Sequence, residues 1–197
     1  MPGPLPWMTA FAQKRGLRYE PDADERWLRA WEPYSTLRVP LRYEHALNAT
    51  GATGSISIAR AVVSLPQGEV GTWIAIVQDE RLTKRAAMTS DFGSPFADPL
   101  DFVSLPRLGT GDPVFDHQFA SFSASPEDLA HAVTRSLRKL LLGWGVPIHA
   151  DIRSGGFILA PVSLSPAERG LGWMLDAVHL FGAKATKHAM LPRNIGS

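Results

Sequence analysis

The sequence predicts an α+β fold in which an antiparallel sheet, built from a strand meander and a C-terminal hairpin, is covered on one side by two long helices. Two observations support this prediction. Residues 37–79 contain three runs rich in β-branched and aromatic residues, separated by short connections with Gly, Pro and Asn. Residues 125–183 contain two helical patterns on either side of two apolar runs that meet at Ser-Gly-Gly, which is typical of a hairpin.

Length and composition are those of a folded protein. The chain has 197 residues, of which 45% are hydrophobic and 20% are charged, whereas disordered chains have fewer hydrophobic and more charged residues. We expect residues 1–197 to form a single α+β domain, either as one unit or as two packed halves at about 1–90 and 100–183. Residues 184–197 are expected to form a flexible tail.

Charge and cysteine content exclude several classes of function. With 20 Lys and Arg against 19 Asp and Glu, the net charge of +1 provides no field that would attract nucleic acid. The absence of cysteine excludes disulfides, thiolate metal ligands and thiol catalysis. No window approaches the roughly 18 apolar residues of a membrane span, and prolines interrupt the N-terminus where a signal peptide needs a continuous apolar run. The sequence therefore predicts a cytoplasmic protein and disfavours binding to nucleic acid or membranes. A third alternative is nucleic-acid binding through the C-terminal Lys and Arg residues, which predicts an affinity that falls steeply with salt.

Two aromatic helices are predicted near the N-terminus. A short helix over 7–13 would place Trp7 and Phe11 on one face. A second helix begins in "DADERWLRAW", where Trp27 and Trp31 are one turn apart. Both helices are expected to lay their aromatic side chains on the core. The alternative, that the first is an interfacial membrane anchor, is disfavoured because such helices carry more cations.

The predicted meander contains the runs "TLRVPLRYEHAL", "GSISIARAVVSL" and "GTWIAIVQD". In the first run apolar residues alternate with arginines from position 37 to 42, which predicts a strand with one wet face. In the third run "WIAIV" is apolar at both parities, which predicts a central strand covered on both sides. The "GATGS" between the first two runs is interpreted as a hairpin turn rather than a phosphate loop.

The stretch 81–113 shows no period and is predicted to be mostly loop, with a short strand around 102–105. Its phenylalanines, Phe92, Phe96 and Phe102, are expected to wrap this loop onto the core.

The last third has the clearest pattern. A Ser-Pro-x-Asp start at Ser125 predicts a long helix that runs to Gly143, and a Ser-Pro-x-Glu start at Ser165 predicts a second one. Between them "VPIHADIRS" and "GGFILAPV" predict the two strands of a hairpin.

This half of the chain resembles the C-terminal half of a group of uncharacterised bacterial proteins. The resemblance lies in "TGDPVFDHQFASFSASPEDLAHAVTRSLRKLLL", "IHADIRSGGFILAPV" and "SPAERGLGWMLDAV", and "FAQKRGLRYEPD" is similar to the opening of the same group. The shared positions are Asp112, Phe115, Asp116, Phe119, Ser125 and Pro126. The resemblance implies a Phe-Asp-x-x-Phe corner followed by helix, two strands and helix, and it implies no activity. Many members are membrane-tethered, whereas this sequence predicts no span.

Four residues are candidates for a metal or acid/base site: Asp112, Asp116, His149 and Asp151. His149 and Asp151 are two apart and share one face of a predicted strand, where a further carboxylate could complete a cation site. The structural alternative is favoured: Asp112 caps a turn, and a strand that carries Phe115 and Phe119 on one face directs Asp116 to the other. We therefore predict no metal and no cofactor.

The predicted function is a non-catalytic protein-binding or assembly module, whose partner is another protein or a second copy of the chain. The candidate partner-binding residues are aromatic residues of the N-terminal helices and two residues of the tail: Trp7, Phe11, Trp27, Trp31, Lys187 and Leu191. The absence of G-x-S-x-G and G-K-[ST] motifs favours a role without catalysis. The alternative is a metal-dependent or small-molecule-binding enzyme with its site near Asp112, Asp116, His149 and Asp151.

Overall fold

A computed structural model describes residues 3–23, 25–32, 34, 37–51, 54–90 and 105–186. In this part of the chain the helices are α1 (Pro6–Lys14), α2 (Glu25–Arg29), α3 (Pro113–Gln118), α4 (Pro126–Ala132), α5 (Arg135–Trp144) and α6 (Glu168–Thr186). The strands are β1 (Arg18–Asp22), β2 (Arg42–Gly51), β3 (Gly54–Leu65), β4 (Gly68–Asp79), β5 (Ala86–Thr89), β6 (Arg107–Leu108), β7 (Ala120–Ser123), β8 (Ile148–Arg153) and β9 (Gly156–Pro161). None of the described helices is long and apolar enough to cross a membrane.

The nine described strands form one antiparallel sheet in the order β1-β2-β3-β4-β9-β8-β5-β7-β6. The predicted meander is β2–β3–β4, and the predicted hairpin is β8–β9. The two are joined where β4 pairs with β9, with Ala75 opposite Leu159. The α+β class and the antiparallel sheet are therefore confirmed.

Both faces of the sheet are covered. On the first face Trp73, Ala75 and Val77 of β4 pack in a core that includes residues of α1, α3, α4, α5 and α6. On the second face Ile74 and Ile76 pack in a separate core under α2 and the residues that follow it. The prediction that two long helices cover one side is not confirmed, since residues of five helices cover the first face and α2 lies on the second. The prediction that "WIAIV" is covered on both sides is confirmed.

The long helix predicted to end at Gly143 is two helices, α4 and α5. Val133 between them has φ −103° and ψ 67°, which is not helical. The Thr134 hydroxyl then accepts the Leu137 N–H at 3.2 Å and starts α5 with a new N-cap. The apolar spacing continues through this break, so the pattern alone does not reveal it.

The first strand of the meander begins at Arg42, later than predicted. Residues 37–41 are not a strand, and Val39 and Leu41 are 48% and 52% exposed. The Arg29 guanidinium donates hydrogen bonds to the carbonyls of Pro40 at 3.1 Å and of Leu41 at 2.6 Å. Because these carbonyls accept from a side chain and proline has no N–H, the segment lacks part of a strand ladder.

Strands β1, β5 and β6 were not predicted, since they are short and show no clean alternation. The predicted strand around 102–105 and the loop phenylalanines Phe92, Phe96 and Phe102 lie outside the described residues, apart from Leu105. At the C-terminus α6 extends to Thr186, so the first residues of the predicted tail are helical.

Candidate binding cleft

The second face of the sheet changes from apolar to polar along its strands. On β3 the side chains on this face run from Ala59 to Ser57 and Ser55. On β4 they run from Ile76, which is opposite Ser57, to Gln78, which is opposite Ser55. The apolar part lies under the segment that contains α2, and the polar part lines an open cleft.

This cleft has a volume of about 280 Å³, close to the lower limit for small-ligand sites. The half-buried Trp27 indole forms one wall, and side chains of β1 to β4 form the floor. The polar floor residues are Arg18, Glu20, Asn48, Thr50, Ser55, Ser57 and Gln78. We call this site the Trp27 cleft.

The charges in the Trp27 cleft are balanced. Glu20 accepts from the Arg18 Nε at 2.9 Å and from the Asn48 amide at 2.9 Å. The Ser55 hydroxyl donates to the Gln78 side-chain carbonyl at 3.1 Å. The cleft therefore offers hydrogen-bond donors and acceptors without net charge, which suits an uncharged polar ligand.

Apolar contacts place α2 on the sheet. Leu28 is 1% exposed and belongs to the core of the second face. Trp31, just after α2, lies against β9, where a Cβ at Gly156 would collide with its ring and with the carbonyl of Val77. Glycine at this position allows the indole to approach the sheet this closely.

A buried polar network follows α2. The hydroxyls of Tyr34 and Tyr43 are hydrogen-bonded, and Tyr43 also donates to Glu32 at 2.7 Å. Arg29 donates to the same Glu32 carboxylate at 3.1 Å. Burial raises the pKa of both tyrosines above the usual range, so both hydroxyls keep their protons as donors.

His149 and Asp151 lie on β8 and point to the second face, each about 1% exposed. The His149 Nδ1 is hydrogen-bonded to the Thr89 hydroxyl. Asp151 accepts from the Arg153 Nε at 3.0 Å and from its Nη2 at 2.6 Å. The Arg153 Nη1 donates to the main-chain carbonyl of Trp31. Asp151 is thus linked through Arg153 to the α2 segment, whereas His149 contacts Thr89 of β5.

Asp112 and Asp116 stabilise the start of α3. Asp112 is the N-cap of α3, accepts the Phe115 N–H at 3.3 Å and pairs with Arg138 at 3.3 Å. The Phe115 N–H and Arg138 hold the pKa of the Asp112 carboxyl below its usual value. Asp116 accepts from the Thr110 N–H and hydroxyl at 2.9 and 2.8 Å.

The expected strand at this corner is a helix. Phe115 lies in α3 and Phe119 directly follows it, and their rings stack with centroids 4.6 Å apart. Asp112 and Asp116 lie at the start of α3, whereas His149 and Asp151 lie on β8, and the four residues do not form a metal-binding group. Within the described part of the chain, no three His, Asp or Glu side chains are placed to hold a metal ion.

The aromatic residues predicted to bind a partner lie on both sides of the sheet. Trp7 and Phe11 pack in the core of the first face, where Phe11 is 2% exposed. Trp27 and Trp31 pack against the core of the second face. The tail residues Lys187 and Leu191 lie outside the described residues. Of this set, Trp27 lines the cleft.

Sequence reasoning missed the polar floor of the cleft. The signal was present at alternate positions of β3, where Ser55 and Ser57 precede Ala59 and Ala61. This change from alanine to serine along the strand marks where the covered face becomes open, but Trp27, which lines the opening, is distant in sequence.

No protein-family model matches the chain, and no curated protein sequence matches it. Among solved structures, the crystal structure of the mycobacterial trehalose monomycolate transport factor A, TtfA, is similar. The two superpose with a TM-score of 0.65 and 11% sequence identity, over 95% of this chain and 97% of that one. What the chain shares with TtfA is therefore its fold.

Proposed function

We propose that the protein is a non-catalytic binding or assembly module that holds an uncharged segment of a protein partner in the Trp27 cleft. One observation supports this proposal above all: a half-buried indole lines an open cleft whose hydrogen-bonding floor carries no net charge. Tryptophan is enriched at the centres of protein interfaces because it combines a large apolar surface with an N–H donor.

A peptide segment suits this floor because its backbone alternates N–H donors and C=O acceptors. The amides of Asn48 and Gln78 and the hydroxyl of Ser55 can serve both. Partner binding at the β1 edge is disfavoured, since Pro21 lacks an N–H and the flanking side chains are charged. The proposed contact therefore uses the face of the sheet.

The chemistry of the remaining candidates favours a role without catalysis. Asp112 and Asp116 stabilise α3, and Asp151 holds Arg153. TtfA, which shares the fold, is a transport factor. We infer a binding role without catalysis for this chain, with another protein or a second copy as the partner.

Site-specific photo-crosslinking tests this function. A photoreactive residue replaces Gln78, which is exposed in the cleft, or Gln13, which is exposed on α1 at the opposite side of the sheet. In cells of the native host we expect a defined protein adduct from position 78 and none of the same mass from position 13. In the Trp27→Ser background the adduct should fall about tenfold, a typical loss for an interface anchor. Identical adducts at both positions, or an adduct insensitive to Trp27→Ser, would contradict the proposal.

A further inference from the structure

The Trp27 side chain, which forms one wall of the cleft, belongs to a helix that is too short to be stable without tertiary contacts. Helix α2 has five residues, whereas isolated helices in water need about 12–15 to become even marginally stable. Whether Trp27 stays over the polar floor therefore depends on what ties the α2 segment to the sheet.

Arg153 supplies a buried tie. Its side chain is 17% exposed, and its Nε and Nη2 are fixed by Asp151, whose side chain is 1% exposed. Its Nη1 donates to the carbonyl of Trp31, two residues beyond the end of α2. The guanidinium also lies 6.0 Å from the centre of the Tyr34 ring. One side chain of β8 thus contacts the chain on both sides of Glu32.

We propose that Arg153, fixed by Asp151, is a positioning residue of the Trp27 cleft: it holds the α2 segment on the sheet and thereby keeps Trp27 over the polar floor. Its effect on binding rests on the function proposed above, whereas its effect on α2 does not. The planar guanidinium is suited to this task, since it can bind a carboxylate with one edge and donate to a carbonyl with another. A lysine ammonium is a point charge and reaches one of the two partners.

The chain contains a matched control. Asp79 and Arg81 have the same spacing at the end of β4, and Asp79 is fully buried. Arg81 contacts Asp79 at 2.8 and 2.7 Å, close to the distances in the Asp151–Arg153 pair. Arg81 lines a different cleft, together with His131 and Thr186. Substituting Arg81 therefore removes a similar ion pair at a distance from α2.

Hydrogen exchange measured by mass spectrometry tests the positioning role. In Arg153→Met, peptides covering 27–32 should exchange about tenfold faster than in the wild type, as expected when a buried charged hydrogen bond is lost. In Arg81→Met the same peptides should exchange at the wild-type rate. Arg153→Lys keeps a positive charge beside Asp151, so it should fold even where Arg153→Met does not. The exchange rate over 27–32 in Arg153→Lys should lie between those of the wild type and Arg153→Met. Unchanged exchange over 27–32 in Arg153→Lys, or an equal increase in Arg81→Met, would overturn the proposal.

Crosslinking from position 78 in the same variants separates this proposal from the proposed function. Faster exchange with a weaker adduct in Arg153→Lys supports the positioning role. Faster exchange with a wild-type adduct shows that Arg153 holds α2 but does not position Trp27 for binding, which overturns the proposal. An adduct insensitive to Trp27→Ser would overturn the proposed function, while the exchange rates would still report on α2.

Discussion

His45 interrupts the ladder between β2 and β3. Its φ is 54°, and the register between the two strands shifts between Glu44 and Leu47. The shift lets Tyr43 and Ala46, three residues apart, face the same core. The His45 Nδ1 pairs with the Tyr19 hydroxyl at 2.8 Å, which in turn accepts the Leu5 N–H. A single irregular residue of β2 is therefore linked to β1 and, through Tyr19, to the residue that precedes α1.

The burial of His45 predicts a loss of stability in mild acid. Burial lowers the pKa of His45 below its ordinary value of 6.5, so the unfolded chain binds a proton before the folded protein does. Its contribution to stability is complete above about pH 6.5 and is lost as the pH falls towards the folded-state pKa. Burial also lowers the pKa of His179, which therefore contributes to the same loss of stability.

We expect the thermal midpoint to fall between pH 7 and pH 5, and His45→Asn to reduce this slope. Asparagine tolerates a positive φ and does not titrate, so the bulge is retained. His179→Asn should reduce the slope in the same way. Differential scanning calorimetry at several pH values measures both effects. Slopes in both variants equal to that of the wild type would refute this account.

At the scale of elements, the Thr134 N-cap contributes to the division between α4 and α5, where Arg138 also donates to the Val133 carbonyl. The Thr134 hydroxyl accepts the Leu137 N–H, and no equivalent intrahelical partner exists for an N–H in the first turn of a helix. Thr134→Ala should lower the free energy of unfolding by about 1 kcal/mol. Ser136→Ala, at an exposed position in the first turn of α5, should change it by less than about 0.5 kcal/mol. Urea unfolding compares the two, and equal losses would mean that the cap does not stabilise this boundary.

At the scale of the molecule, the sheet connects the two parts that the sequence suggested as packed halves. Strand β4 pairs with β9, and β5, at residues 86–89, lies between β8 and β7. A fragment of residues 1–90 would leave β4 without β9 and β5 without either partner strand. We therefore expect the full chain to unfold in a single transition and the fragment to remain unfolded.

Tryptophan fluorescence and far-UV circular dichroism during urea unfolding test this expectation. Trp73 lies in β4, and Trp144 and Trp173 lie in α5 and α6, so fluorescence reports on both parts. Coincident curves with one midpoint are expected. Separate midpoints, or a fragment 1–90 with a cooperative transition of its own, would indicate two independently folding halves.

Local signals account for what could be predicted. The hairpin β8–β9 and the start of α4 at Ser125 depend on residues adjacent in sequence, and both were predicted close to their observed positions. The four candidate residues of the metal or acid/base site do not form a metal-binding group. Their separation could not be predicted, because the sequence pattern does not specify which face of the sheet each side chain reaches. The helical spacing predicts Trp27 as a partner-binding residue, but no sequence pattern predicts the cleft that it lines.

The sequence by itself determined the α+β class, the antiparallel meander and the C-terminal hairpin, because turn residues and alternating side chains act over a few positions. The tertiary structure alone decided which helices cover each face and that Trp27 meets the floor residues Glu20, Asn48 and Gln78. These contacts arise from strand register, from the apolar packing of Leu28 and Trp31 on the second face, and from the Arg153 tie to the Trp31 carbonyl. These interactions join residues that are far apart in the chain, so no local sequence pattern could specify them.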